Sequence, residues 1–139
     1  MLSREGKDKI NSFIRNKRKT DPKYRLSSNL RKRIGNSIAS RGFKKDSKTH
    51  QILGIEFNEF GAYLEGLFED KMSWDNYGDW HLDHIIPVSS AENETEIYEL
   101  NHYLNFQPKW AKDNISKSDN YDPLEKLNML NKIRSLKQN

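Results

Sequence analysis

The sequence contains no cysteine. Disulfide bonds, thiolate nucleophiles and cysteine-based zinc sites are therefore excluded, and any bound metal must be held by nitrogen and oxygen ligands. Long apolar runs are missing too, since no window approaches the roughly 18 apolar residues that a membrane span needs. The first residues, MLSREGKDKINSF, lack the apolar stretch of a signal peptide. We therefore expect a soluble intracellular protein with no membrane partner.

Apolar residues are scarce, at 34% of the chain against 32% charged residues. The 139 residues nevertheless include three Trp, six Tyr and six Phe, which argues against full disorder. A chain of this length suits one domain, because domains run to roughly 100–200 residues. We expect one small core, a wide polar surface and an extension.

Positive charge is almost absent from the middle of the chain. Residues 51–108 contain one Lys, no Arg and 12 acidic residues, whereas residues 1–50 contain 16 Lys and Arg against 4 acidic residues. The net charge of +4 conceals this asymmetry. It predicts a basic arm for a polyanion attached to an acidic body, and the alternative is that the basic runs are solvated helix faces.

The spacing of apolar residues predicts helices in both parts. In the basic part, a helix begins near Asp21-Pro22 and buries a stripe with a period of four: Leu26, Leu30, Ile34 and Ile38. Its opposite side carries cations that we predict to contact phosphates: Arg25, Arg31, Lys32 and Arg33. Residues 58–70 are predicted to form a second amphipathic helix. The aromatic residues after it are interpreted primarily as core residues and only secondarily as a base-stacking surface.

Two short strands and two further helices complete the prediction. The strands span residues 82–87 and 105–107, with Pro108 ending the second, and a helix follows over 110–117. A last helix over 123–136 would bury residues three apart: Leu124, Leu127, Leu130 and Ile133. We divide the chain into a basic helical DNA-binding arm (1–50), a central domain (51–122) and a C-terminal helix that packs on it (123–139).

Chemically useful side chains fall at the ends of these elements. Asp83 and His84 are neighbours in the first strand, Asn105 opens the second, and Asn114 and Lys117 share one helix face because they are three residues apart. Adjacent strand residues point to opposite faces, so the strand must end or bulge for both to enter one cleft. Taken singly, these residues say little, and for His84 alone a structural role is favoured.

In this order, the residues resemble those of the HNH endonucleases with the ββα-metal (His-Me finger) fold, most closely the small phage and prophage nucleases. The segments that carry the resemblance are SWDNYGDWHLDHIIP and LNHYLNFQPKWAKDNISKSD. The resemblance runs from about residue 53 to about residue 120, roughly half the chain. It implies an α+β, mostly helical protein: a ββα-metal core with a short two-stranded antiparallel hairpin, plus N-terminal basic helices and a C-terminal helix.

The resemblance implies a role for each motif residue. His84 would be the general base that deprotonates a water, a role suited to an imidazole with a pKa of about 6.5. Asn105 would orient it through hydrogen bonds across the loop between the strands. Asp83 and Asn114 would hold one divalent ion, and their oxygen ligands suit Mg²⁺ or Mn²⁺ better than Zn²⁺. The ion would stabilise the departing 3′ oxygen, so the products would be a 5′-phosphate and a 3′-hydroxyl.

Further residues near the motif are candidates for phosphate contacts. Lys117 either approaches a phosphate near the cleavage site or is a surface residue, and Lys109 would add a DNA contact. His81 either contacts a phosphate or makes a hydrogen bond within the fold. We expect His50 and His102 to be structural or solvent-facing.

We therefore expect a divalent-metal-dependent endonuclease that nicks or cuts double-stranded DNA. It would act as a monomer or weak homodimer, in the cytoplasm of a bacterial host if it is encoded by a phage. One alternative is a DNA-binding or packaging accessory protein with a weak or vestigial nuclease site. Another keeps the chemistry and changes the substrate to RNA or branched DNA, although RNA recognition usually adds exposed stacking aromatics.

Overall fold

The structure, a computed structural model, describes residues 3–117 and 119–137, but not the side chains of residues 18, 19 and 115–117. Over these residues the chain is mostly helical with one antiparallel pair of strands, which makes it an α+β fold. The elements in chain order are α1 (Arg4–Thr20), α2 (Pro22–Ala39), α3 (Thr49–Leu53), α4 (Phe57–Gly66), β1 (Trp80–His84), α5 (Glu94–Glu99), β2 (Phe106–Trp110), α6 (Ala111–Lys117) and α7 (Pro123–Lys137). In the described ranges, no helix has the length and apolar content needed to cross a membrane.

Helix α2 begins where the sequence predicts. The Asp21 side chain accepts a hydrogen bond from the backbone N–H of Tyr24, and Pro22 occupies the first turn, where its missing N–H costs nothing. All four residues of the predicted apolar stripe are buried in the core that also holds Trp80 and Phe106. The core therefore extends across the boundary predicted at residue 50, and α2 packs within the body of the protein.

Helix α1 differs from α2 in what it buries. Its apolar residues Ile10 and Phe13 remain exposed, and Phe13 keeps 64% of its accessible surface. The helix is capped by Ser3, whose hydroxyl accepts a hydrogen bond from the N–H of Gly6. None of its described side chains is buried in the core, so α1 contributes no described side chain to the core packing of the body.

The two strands are displaced from their predicted bounds. They pair antiparallel with Trp80 opposite Trp110 and His84 opposite Phe106, so β1 begins and ends earlier than residues 82–87. The prediction that Pro108 ends β2 is wrong, because Pro108 lies inside the strand opposite Leu82. Both strands of a two-stranded sheet are edge strands, where a residue without an N–H can be accommodated.

The aromatic residues around β1 form the centre of the core, as predicted. Trp80 is fully buried, and Phe68 packs against both Trp74 and Trp80 at ring-centroid distances of 5.5 and 5.1 Å. Phe68 follows α4 instead of lying inside it, because α4 ends at Gly66, short of the predicted residue 70. Phe68 therefore packs on two tryptophans from a position outside the helix that its spacing predicts.

Helix α7 forms as predicted, but only two residues of its predicted stripe, Leu130 and Ile133, are buried. Leu124 and Leu127 are 63% and 50% exposed, and the buried residues are Lys126, Leu130 and Ile133. Four residues at intervals of three cannot share one face, because successive members rotate by about 60° around a helix with 3.6 residues per turn. The observed spacing of four and three keeps one face toward the core.

Ion pairs join α7 to α5. The Nζ of Lys126 lies 2.9 Å from Glu96, and the guanidinium of Arg134 donates to both carboxylate oxygens of Glu99 at 2.7 and 3.0 Å. Lys126 also donates to the carbonyl of Ser90 at 2.6 Å. The hydrogen bond from Lys126 lowers the pKa of the Glu96 carboxyl, so this carboxyl stays charged at neutral pH.

His102 is buried against the turn that follows α3. Its Nδ1 accepts a hydrogen bond from the N–H of Leu104 at 3.2 Å. Gly54 has a φ of 87°, and a Cβ atom there would lie 2.6 Å from Nε2 of His102, so the close approach requires glycine. Burial, assisted by the positive charge of Lys137, lowers the pKa of His102 from 6.5 to about 4.

The lowered pKa of His102 predicts a loss of stability in mild acid. Between pH 6.5 and about 4 the unfolded chain binds a proton at His102 that the folded chain does not. The free energy of unfolding should therefore fall as pH drops through this window, with a contribution from His102 on the order of 3 kcal/mol. Urea denaturation of the wild type at several pH values measures the slope.

The variant His102→Gln should show a shallower dependence in the same window, because it has no imidazole to titrate. His50→Gln is the matched control, since His50 is an exposed histidine. An unchanged slope in His102→Gln would contradict the assignment.

Candidate functional site

Three predicted site residues meet at one open cavity of about 230 Å³. Asp83 and His84 reach it from the end of β1, and Asn114 reaches it from α6, which packs across both strands. The remaining lining residues are Arg33, Pro87, Val88 and Asp119. The tertiary structure therefore gathers a carboxylate, an imidazole, an amide and a guanidinium from separate parts of the chain.

Asp83 and His84 enter the cavity although they are neighbours on a strand. Strand alternation places His84 on the core side, where its ring centroid lies 4.5 Å from that of Phe106, and Asp83 on the other side. Both side chains line the cavity because β1 ends at His84. Asp83 is buried and held in place, since the Nε2 of Gln107 donates to its Oδ2 at 2.9 Å.

The His84 ring is held at both nitrogens. Its Nε2 lies 2.9 Å from Oδ1 of Asn101, and its Nδ1 lies 3.5 Å from Nε of Arg33. Arg33 was predicted as a phosphate contact of the basic arm, and the structure places it in the same cavity as the candidate base. The position of α2 in the core is what brings Arg33 there.

Asn105 connects the two strands of the site. Its Oδ1 accepts from the N–H of Ile86 at 2.8 Å, and its Nδ2 donates to the carbonyls of Ile86 and Leu100 at 2.9 and 2.8 Å. Its own carbonyl accepts from the N–H of Ile85 at 2.8 Å. Asn105 is 0% exposed, and its bonds fix the backbone immediately after His84.

The other predicted phosphate contacts lie away from this cavity. His81 is exposed on β1 and stands opposite Lys109 in the sheet. Lys109 lines a separate cavity of about 530 Å³ that it shares with Asp113. The side chain of Lys117 lies outside the described part of the chain.

The cations of α2 divide into two groups. Arg25 packs on Tyr77, with its guanidinium 4.8 Å from the ring centroid and a 2.7 Å hydrogen bond to the Tyr77 carbonyl. This contact supports the fold, and the predicted phosphate contact of Arg25 stays a prediction. Arg31 and Lys32 are exposed and keep that assignment as a prediction.

Four residues of the site were not identified from the sequence. They are Asn101 and Gln107, which contact His84 and Asp83, Ser37, whose hydroxyl accepts a hydrogen bond from Asn101, and Asp119, which lines the cavity. Asn101 and Gln107 lie inside the segment that carries the resemblance to the HNH endonucleases, but no spacing distinguishes a buried amide from a solvated one. Their contacts depend on how α2, β1 and β2 pack together.

The donor set of the cavity suits a hard divalent cation. Asp83 supplies a carboxylate and Asn114 an amide oxygen, and oxygen ligands are those that Mg²⁺ and Mn²⁺ prefer. Within residues 3–117 and 119–137, no three His, Asp or Glu side chains are grouped so that they could hold a metal. A site built here would take most of its ligands from water and phosphate, as is usual for Mg²⁺.

Comparison with known proteins found two similar proteins, both described as uncharacterized and both from Acanthamoeba polyphaga mimivirus. One is 33% identical over 121 residues, which cover 85% of this chain and 52% of the relative. The other is 30% identical over 130 residues, which cover 88% of this chain and 56% of the relative. The chain thus spans about half the length of the curated relatives it matches. No protein-family model and no solved structure matches the chain.

The hydrogen bonds of Asn105 predict a large cost for removing its side chain. Asn105→Ala leaves one buried N–H and two buried carbonyls without this partner, which should lower the free energy of unfolding by on the order of 2–4 kcal/mol. Urea denaturation measures the change, and hydrogen exchange at the Ile86 amide should accelerate. Asn131→Ala is the matched control, because Asn131 is exposed on α7. Equal stabilities of the two variants would contradict this account.

Proposed function

We propose that the protein is a divalent-metal-dependent endonuclease of the HNH type that hydrolyses phosphodiester bonds in double-stranded DNA. The observation that carries the proposal is the single cavity shared by Asp83, His84 and Asn114, with Asn105 buried behind it. Two antiparallel strands followed by a helix packed across both support a ββα-metal core.

In the proposed reaction, His84 is the general base. Its imidazole takes a proton from a water molecule, and the oxygen of that water attacks the phosphorus of the scissile phosphodiester. The bond from phosphorus to the 3′ oxygen breaks and that oxygen takes up a proton from solvent, which leaves a 5′-phosphate and a 3′-hydroxyl. The guanidinium of Arg33 lies in the same cavity and is placed to stabilise the negative charge of the phosphoryl oxygens.

Asp83 and Asn114 would hold the metal ion. When bound, a divalent ion supplies Lewis-acid stabilisation of the phosphoryl charge and of the leaving oxygen. The contribution of the chain is to hold the ligands in position before the substrate arrives. The bond from Gln107 to Asp83 serves this purpose, because it restrains the carboxylate.

The exposed cations of the N-terminal helices fit a polyanionic substrate. Arg31 and Lys32 are exposed on the same helix as Arg33, and we assign them to backbone contacts outside the cavity. Arg31 also borders a cavity of about 480 Å³ with Lys45, Lys48 and His50. The substrate backbone would therefore meet a basic surface on the helical side of an otherwise acidic body.

The proposal predicts metal-dependent nicking that requires His84. The wild type should convert supercoiled plasmid to the nicked form with Mg²⁺ or Mn²⁺ and not with EDTA, whereas His84→Ala should lose cutting and keep its affinity for duplex DNA. Gel electrophoresis measures the products, and filter binding or anisotropy in EDTA measures affinity. Asn131→Ala, which changes an exposed residue of α7 outside the cavity, is the control and should cut normally.

Cutting by His84→Ala at the wild-type rate would exclude His84 as the base. Binding without cutting under any metal would favour a DNA-binding accessory protein. Single-stranded RNA and four-way junctions as additional substrates would show whether the same site acts on a nucleic acid other than duplex DNA.

The basic surface of α2 predicts strongly salt-dependent binding. In EDTA, affinity for duplex DNA should fall steeply between about 50 and 200 mM salt, because each phosphate contact releases counterions. Arg31→Ala and Lys32→Ala should each reduce the slope of log affinity against log salt by about 1. Lys132→Ala, an exposed lysine of α7, is the control. A slope unchanged in both α2 variants would remove this surface from the binding site.

A further inference from the structure

We propose that Asn101 is a positioning residue that selects the tautomer of His84, with the proton on Nε2, so that Nδ1 is the nitrogen that accepts the proton of the attacking water. This role rests on the proposed nuclease function, because His84 acts as a base only in that reaction. The tautomer itself is a property of the folded chain and can be measured without substrate or metal.

The amide of Asn101 is fully engaged and fully buried, with 0% of its surface exposed. Its Nδ2 donates to the carbonyl of Ile97 at 3.0 Å and to the hydroxyl of Ser37 at 2.8 Å. Its Oδ1 faces Nε2 of His84 at 2.9 Å. Asn101 therefore joins α2 to the candidate base through one side chain.

The orientation of this amide follows from its partners. The Ile97 carbonyl can only accept, so the atom that faces it must be the NH₂ group of Asn101. The Ser37 hydroxyl donates its proton to the carbonyl of Ile34 at 2.7 Å, which leaves its oxygen to accept from the same NH₂ group. A flipped amide would place its oxygen against the Ile97 carbonyl and lose both donor contacts.

The amide orientation in turn determines the imidazole. Because Oδ1 of Asn101 is an acceptor, the hydrogen bond at 2.9 Å requires a proton on Nε2 of His84. In the neutral ring Nδ1 is then the acceptor nitrogen, which agrees with Nε of Arg33 as its neighbour at 3.5 Å. With the opposite tautomer, the unprotonated Nε2 and Oδ1 would face each other as two acceptors in a buried site.

Helix α2 is the origin of both restraints on the ring. Arg33 and Ser37 are four residues apart and so lie on one face of the helix, one at Nδ1 and the other behind Asn101. The base is thus held from outside the β1, β2 and α6 unit that carries it. Tautomer selection by a partner hydrogen bond on the other ring nitrogen is a general device for making histidine a base.

Nuclear magnetic resonance of the metal-free protein, labelled with ¹⁵N-histidine, tests the inference. The two ring nitrogens give separate signals according to which one carries the proton, and a series of spectra at rising pH identifies the neutral ring. His84→Gln identifies the signals of His84 among the four histidines. We expect a protonated Nε2 and an unprotonated Nδ1, with a slowly exchanging Nε2 proton because the bond is buried.

Three variants separate positioning from general packing. Asn101→Leu keeps the size of the side chain but has no acceptor, and it should lose the protected Nε2 proton and reduce plasmid nicking by on the order of 10- to 100-fold. Ser37→Ala removes one of the two acceptors of the amide and should weaken the protection while leaving the fold intact. Asn131→Leu, at an exposed site on α7, should change neither signal nor rate.

A proton on Nδ1 in the wild type would overturn the inference whatever the variants do, and so would an unchanged protected Nε2 proton in Asn101→Leu. If Asn101→Leu does not fold, Ser37→Ala and the wild type decide the question. Full protection of the Nε2 proton in Ser37→Ala would contradict a restraint that runs from Ser37 of α2 through Asn101 to His84. A wild type that shows the expected tautomer but never nicks DNA would refute the nuclease function and leave the tautomer assignment standing.

Discussion

The hydrogen bonds around Asn105 determine where β1 stops and how the backbone continues beyond it. The side chain binds both backbone polar groups of Ile86 and the carbonyl of Leu100, while the backbone carbonyl takes the N–H of Ile85. The two backbone groups of Ile86 are then unavailable for pairing with the other strand, and β1 ends at His84. That ending allows two neighbouring residues, Asp83 and His84, to line one cavity, and the geometry of the whole site depends on it.

A second constraint is the packing of α2 against the sheet. Its apolar stripe is buried in the same core as Trp80 and Phe106. The neighbouring polar face of α2, which carries Arg33 and Ser37, therefore lies near the end of β1. That face delivers Arg33 to one nitrogen of His84 and, through Ser37 and Asn101, a hydrogen bond to the other. The segment that looks like a DNA-binding arm in sequence is thus also part of the site. The acidic body and the basic helix are one folded unit at this point.

Much of the fold could be predicted because local rules governed it. Asp21 and Pro22 mark the start of α2 by capping and by a fixed φ angle, and the period of four in its apolar residues identifies the buried face. The predictions failed where neighbours in space overrode local preference. Pro108 is tolerated inside β2 because both strands of this sheet are edge strands, and the face of α7 is chosen by Lys126 meeting Glu96. The spacing of residues along the chain predicts neither the edge position of β2 nor the pairing of Lys126 with Glu96.

The sequence by itself determined the candidate chemistry, since the types and order of Asp83, His84, Asn105 and Asn114 limit the site to oxygen ligands and an imidazole base. It also determined the charge asymmetry, because that is a matter of composition. Only the tertiary structure decided which groups restrain these residues. Asn101, Gln107 and Arg33 act through distances of 2.9, 2.9 and 3.5 Å to residues 17, 24 and 51 positions away, and such contacts arise from packing that no local pattern encodes.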